Sequence, residues 1–283
     1  MVKTLPMWLS AAILLTACTE SGPYLPPVGS IPVAPPPAYL TLDLPRDKAL
    51  ATKVTTPATG ATVTFRRIEA GSTPYAPTDE VTAIGISTQP KGSPTVQAHY
   101  VALTELTQAQ WQALVAASGT SVAPKPWTAV TWAVAEGADL PACNLSHAQI
   151  QAVLDGWNSR STNRLRLPTS IEWENACRAG TTTAWSWGDT EAEVATHALV
   201  QVNGTTSGAG VVVGGRSANP WGLYDLHGNV WEWVSNGGTD GGPCLRGGSW
   251  SDPLLSARSG NRLHLTPTVE YPLAGLRLVL EMD

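Results

Sequence analysis

The sequence predicts an α+β domain built from short strands, a few helices and much irregular backbone. Three observations carry that expectation. Alternating apolar and polar residues mark strands early in the chain, and amphipathic helical periods fill its middle. From Gly204 to Gly248 the chain holds 13 of its 26 glycines and no long helical period survives, so loops held by large side chains are expected there.

From the N-terminus onward, Met1–Cys18 has the form of an export signal. Lys3 supplies a positive start and Met7–Leu15 an apolar run too short to span a bilayer, which needs about 20 residues. The run ends in Leu15-Thr16-Ala17-Cys18, which resembles the lipobox of bacterial lipoproteins. That resemblance implies removal of residues 1–17 and lipidation of Cys18, with each buried acyl CH₂ contributing about 0.8 kcal/mol to anchoring. Residues 18–61 are expected to form a tether. Gly22–Pro45 carries eight prolines, including Pro35-Pro36-Pro37, a composition that favours an extended, semi-rigid spacer.

The globular domain is assigned to residues 62–283. Thr62–Ile68 alternates in the manner of a strand, and Gln97–Leu103 is a second strand. Thr107–Ser118 follows as a helix presenting Trp111, Leu114 and Val115 on one face. In Ser146–Asn158, Ile150, Val153, Leu154 and Trp157 recur at helical spacing behind Ser146 as N-cap. Thr169 and Glu172 have capping-box spacing, so a helix should run from there to Ala179 and stop at Gly180. Beyond it, Trp185, Trp187, Trp221, Trp231, Trp233 and Trp250 are the large groups expected to organise the loops.

Composition excludes some functions. With 17 Lys+Arg against 22 Asp+Glu and a net charge of −5, the chain lacks the basic surplus that nucleic-acid binding requires. The histidines (His99, His147, His197, His227 and His264) are scattered, with no CxxC or HExxH, so no transition-metal site is expected. Apart from Cys18, three cysteines remain (Cys143, Cys177 and Cys244). One disulfide would still leave a free thiol.

Several segments, in one order, resemble the formylglycine-generating enzyme (sulfatase-modifying factor) family. They are Glu105–Trp111, Arg166-Leu-Pro-Thr-Ser-Ile-Glu-Trp-Glu174, Trp187-Gly-Asp189 and Asn219-Pro-Trp-Gly-Leu-Tyr-Asp-Leu-His-Gly-Asn-Val-Trp-Glu-Trp233. Leu245-Arg-Gly-Gly-Ser-Trp250, Arg258-Ser-Gly-Asn-Arg262 and Gly275-Leu-Arg-Leu-Val279 follow. The resemblance spans roughly Thr62 to Leu280 and implies the C-type-lectin-like fold of that family.

Function does not follow from the fold alone. The resemblance implies that an oxidase would carry a copper-binding cysteine pair just after the Gly-Gly-Ser-aromatic motif. Here Ser251–Ala257 contains no cysteine, Cys244 precedes the motif, and no cysteine follows it. No catalytic residue is therefore assigned and copper is not expected. The sulfoxide synthases of the family hold iron with histidines of an added helical domain, which this chain lacks. The variable proteins of diversity-generating retroelements are a further branch, in which a fixed C-terminal frame carries diversified positions. Arg246–Trp250, Arg258–Arg262, Pro267 and Gly275–Arg277 read as such a frame.

These readings point to a lipoprotein of the bacterial envelope, periplasm-facing or at the cell surface, that binds a protein or glycan through its C-terminal loops. The candidate ligand residues are Trp250, Asp252, His264, Glu270 and Tyr271. Trp250 is also expected in the core. The resemblance implies structural calcium near Asn229 and Glu232, with Gly228 supplying a tight turn, while a second site near Thr196–Leu199 lacks its asparagine. Arg258, Arg262 and Arg277 are read as framework residues that satisfy loop carbonyls. Two alternatives stand beside this reading: an oxidase using another thiol arrangement, and a passive envelope component.

Overall fold

A central antiparallel sheet is assembled from both ends of the domain. In this computed structural model the described residues are 38–44, 62–72, 94–129, 135–201, 212–237 and 241–281. The sheet runs in the order β1 (Tyr39–Asp43), β2 (Thr62–Ile68), β5 (His99–Ala102), β10 (Val279–Leu280) and β6 (Leu165–Arg166). Two short strands, β3 (Gly71–Ser72) and β4 (Thr95–Val96), pair beside it. Placing β10 between β5 and β6 draws the C-terminal segment into the core.

Strand β1 corrects the expected start of the domain. Residues 18–61 were assigned to a spacer, yet Tyr39–Asp43 pairs with β2 in register, Tyr39 opposite Arg66 and Asp43 opposite Thr62. The physical reason is the alternation Leu40, Leu42, Leu44, all buried, which offers an apolar edge that the surrounding prolines obscured. The signal segment and Cys18 lie outside the described residues.

The three helices form where their caps place them. Helix α1 (Gln108–Ser118) starts at Thr107, α2 (His147–Asn158) at Ser146 and α3 (Ser170–Arg178) at Thr169, each with a complete capping box closed by Gln110, Gln149 or Glu172. Helix α3 ends at Arg178, because Ala179 itself takes the left-handed conformation at φ 48° and Gly180 follows at 89°. Beyond it the described backbone carries one further short helix, α4 (Val194–His197), and isolated 3₁₀ turns.

A second sheet supports the C-terminal motifs: β8 (Cys244–Arg246), β7 (Trp231–Val234) and β9 (Ala274–Leu276), with β7 parallel to β9. Two glycines permit its close packing. A Cβ at Gly275 would lie 2.3 Å from the Ala142 carbonyl oxygen, and one at Gly228, where φ is 92°, would lie 2.0 Å from that of Leu199. Trp111, Trp127, Trp157, Trp173 and Trp233 are fully buried, so these tryptophans are scaffold.

Candidate functional site

The oxidase chemistry of the resembling family depends on thiols. Cys143, Cys177 and Cys244 are all free and at most 2% exposed. Burial pushes the Cys143 and Cys177 thiols up to about 12 and raises that of Cys244 as well. A thiol in such surroundings stays protonated, whereas metal ligation and nucleophilic attack need the thiolate.

The fold does bring Cys177 to His227, a pairing that the sequence leaves hidden because the two are 50 positions apart. The Cys177 sulfur lies 3.5 Å from His227 Nε2 and 3.5 Å from Ser259 Oγ. His227 Nδ1 is 2.7 Å from the Ala257 carbonyl oxygen, so it donates there, and Nε2 accepts from the Ser186 backbone N–H at 3.2 Å. Burial holds this imidazole down at about 4, so it is neutral. Its lone pair is occupied and its neighbouring thiol is sealed, which makes the pair a packing unit. Among the described residues no three His, Cys, Asp or Glu side chains are grouped to hold a metal ion.

A buried acidic cluster occupies the region of the expected calcium site. Glu232 accepts from Arg277 Nε at 3.1 and 3.0 Å, from Arg277 Nη2 at 2.7 Å and from Trp173 Nε1 at 2.6 Å. Asn229 donates through Nδ2 to Glu105 Oε2 at 2.6 Å, while Glu105 Oε1 accepts from the Val230 N–H at 3.0 Å. Burial first, then the charges of Asp225 and Glu232, raise the Glu105 carboxyl well above its ordinary range. The side chains of Asn229 and Glu232 do not fit a calcium ion in this arrangement. Both Glu232 oxygens already accept from Arg277 and Trp173, so the carboxylate's charge is met by a protein cation and its oxygens are taken.

The C-terminal candidates are more engaged than their loop positions suggest. Asp252 accepts from Trp231 Nε1 at 2.8 Å and from the Ser249 hydroxyl, and its carbonyl accepts from Gln201 N–H at 2.9 Å. Glu270 is exposed and accepts from Gln149 Nε2 at 2.6 Å, which ties the loop to the start of α2. Trp250 and Tyr271 are partly buried and pack on the same core as Leu263 and Leu265, which flank the half-buried His264. The Tyr271 phenol is raised by burial and then by the charge of Asp252. The structure thus gathers Trp250, Asp252 and Tyr271, with Glu270 at the rim. Leu255 and Val269, 41% and 43% exposed, are apolar groups in the same stretch.

The three framework arginines divide. Arg277 is fully buried on Glu232 and also donates to the carbonyls of Ala102 and Tyr224. Arg262 donates to the Gly237 carbonyl. Arg258 satisfies no loop carbonyl, and its guanidinium lies over the Trp185 ring, 5.7 Å from the centroid. Arg246, which opens the frame segment Arg246–Trp250, is fully buried and donates to Glu174 Oε2 at 2.5 Å and to the Asn261 carbonyl. A groove of about 340 Å³ lies along Thr62–Thr64, Thr104, Val213 and Tyr224, and none of the thiols or C-terminal candidates lines it.

Comparison with known proteins agrees with this architecture. The sulfatase-modifying factor enzyme 1-like domain family matches residues 51–282. The formylglycine-generating enzyme of Mycobacterium tuberculosis is 39% identical over 82 residues, 25% of this chain and 26% of that protein. An inactive C-alpha-formylglycine-generating enzyme 2 of Mus musculus is 31% identical over 140 residues, 42% of this chain and 40% of its own length. The chain therefore spans less than half of these relatives. Treponema denticola variable protein 1 superimposes with a TM-score of 0.61 at 23% identity, covering 80% of this chain and 98% of that one, which shows a shared fold. With a match that extends over most of its length, this chain belongs to the sulfatase-modifying factor enzyme 1-like family.

Proposed function

We propose that this chain is an exported, lipid-anchored family member without oxidase activity, which binds a protein or glycan of the cell envelope through its C-terminal loops. The observation that carries this reading is a contrast in burial. Every thiol in the described residues is sealed and protonated, while Trp250, Tyr271, Leu255 and Val269 keep surface on one stretch of loops. Partly exposed aromatic side chains beside a polar rim are the residue types that recognition surfaces use. The inactive mouse relative supports the first half, since it shows that the family holds members without the enzyme's chemistry. The fold shared with a protein described as variable supports the second. In this reading the polar contacts of Asp252 and Glu270 hold the loops in place, and the partly exposed rings meet the ligand.

The test uses the full chain, immobilised and presented with envelope proteins and a glycan array. Binding by the wild type should be lost in a Trp250→Ala/Tyr271→Ala variant that keeps its thermal transition. Binding indifferent to both substitutions would refute the loop surface. Metabolic labelling with palmitate, lost in Cys18→Ser, tests the anchor.

A further inference from the structure

Arg258 is an arginine without a polar partner. Its guanidinium makes no hydrogen bond and no ion pair, and its contact is the face of Trp185 at 5.7 Å. Every other lysine or arginine among the described residues donates to a carboxylate, hydroxyl or carbonyl. Arg66 donates to the Tyr39 hydroxyl, Lys125 to Glu136, Arg160 to the Gly156 carbonyl and Arg216 to the Ala195 carbonyl. The rest pair with acids or loop carbonyls as described above or along the chain.

The surroundings repeat the deficit. Arg258 is half-buried, and its Nε is sealed from solvent and unpartnered. Trp185, 2% exposed, also has a sealed Nε1–H with no acceptor. Trp185 in turn stacks on Trp187 at 5.6 Å, and Trp187 on His197 at 5.3 Å. A guanidinium carries five donors, and leaving donors unmet in a partly dry site is costly. Stacking on indole fixes the plane of the group while leaving its in-plane donors available.

We propose that Arg258, seated on Trp185, is a binding site for a carboxylate-bearing ligand. A planar fork of donors matches a carboxylate in two parallel hydrogen bonds. A monoanion suits a single cation on a chain of net charge −5, which lacks the surplus to hold a polyanion. This site goes beyond the loop-binding reading and is independent of it, because it uses none of Trp250, Asp252, His264, Glu270 or Tyr271.

The test is a titration of the ¹⁵N-labelled full chain with acetate and with glucuronate, against chloride at equal ionic strength, read at the arginine Nε–H and indole Nε1–H resonances. The expected result is a saturable shift of the Arg258 and Trp185 signals with both carboxylates and none with chloride. Arg258→Gln should weaken the response of the Trp185 signal about tenfold or more, the loss of one charge-assisted pair. The same variant should unfold close to the wild-type temperature, because no hydrogen bond or ion pair within the protein is lost and only the stacking on Trp185 is given up. Shifts equal to those in chloride, or an unchanged Trp185 titration in the variant, would overturn the proposal. If Arg258→Gln unfolds, the wild-type titration alone decides.

Discussion

Replacing Arg277 with Met separates two accounts of Glu232. Glu232 and Arg277 are at most 1% exposed, and the carboxylate receives Nε and Nη2 of Arg277 together with Trp173 Nε1. Removing the guanidinium leaves one indole donor for a buried carboxylate and strips donors from the Ala102 and Tyr224 carbonyls. An uncompensated buried charge of this kind costs about 3–5 kcal/mol. The neighbours sharpen the effect: the carboxyl groups of Glu105 and Asp225 lie in the same region, where Arg277 favours their charged forms. Urea unfolding, followed by tryptophan fluorescence and analysed at constant slope, would read the loss as a fall in midpoint. Adding Glu232→Gln to the variant should restore a large part of it, since the unpaired charge is gone. A loss below about 1 kcal/mol in Arg277→Met would refute the assignment of Glu232 to a protein cation.

Further outcomes follow from the same geometry. Leu42→Ala should cost about 2–5 kcal/mol because Leu42 is fully buried, whereas a residue in a spacer would cost nothing; the thermal transition distinguishes these. Calcium and a chelator should leave that transition in place, and a calcium-dependent rise would restore Asn229 and Glu232 as ligands. Two buried groups should give opposite pH slopes in the free energy of unfolding. His227 falls from 6.5 to about 4 on folding, so the native state binds fewer protons in that window. Its contribution is lost as pH falls through it, by roughly 3 kcal/mol. Asp225 rises from 3.8 to about 6 through burial, so the native state binds more protons there and stability falls as pH rises. Asp225→Asn should therefore unmask a rise with pH between 4 and 6, and His227→Gln a fall; slopes of the same sign would contradict both.

Much of the fold was legible where the signal is local. Strand β2 has the bounds its alternation predicts, Thr62–Ile68, and α1 and α2 begin directly after Thr107 and Ser146, because caps and periodicity act within a few positions. The first strand was not legible, since eight prolines dominated the composition around Leu40 and Leu42 and pairing with β2 is a tertiary fact. Helix α3 stops one residue early because Ala179 adopts a conformation usually left to glycine. The site was read less completely. Asp252 looked free in its loop, but Trp231, 21 positions away, supplies its partner. Arg258 and Arg277 belong to similar motif frames, and one is saturated while the other has no polar contact. That difference lies in which carbonyls and carboxylates the fold delivers, which spacing does not encode.

The central claim is that the thiols of this domain are sealed from chemistry. The most direct measurement incubates the copper-treated full chain with oxygen and a cysteine-containing sulfatase peptide, and follows formylglycine by mass spectrometry. The account predicts unaltered peptide and no enzyme-dependent oxygen consumption. Turnover that disappears in Cys244→Ser or Cys177→Ser would contradict it and return the chain to the oxidases of its family.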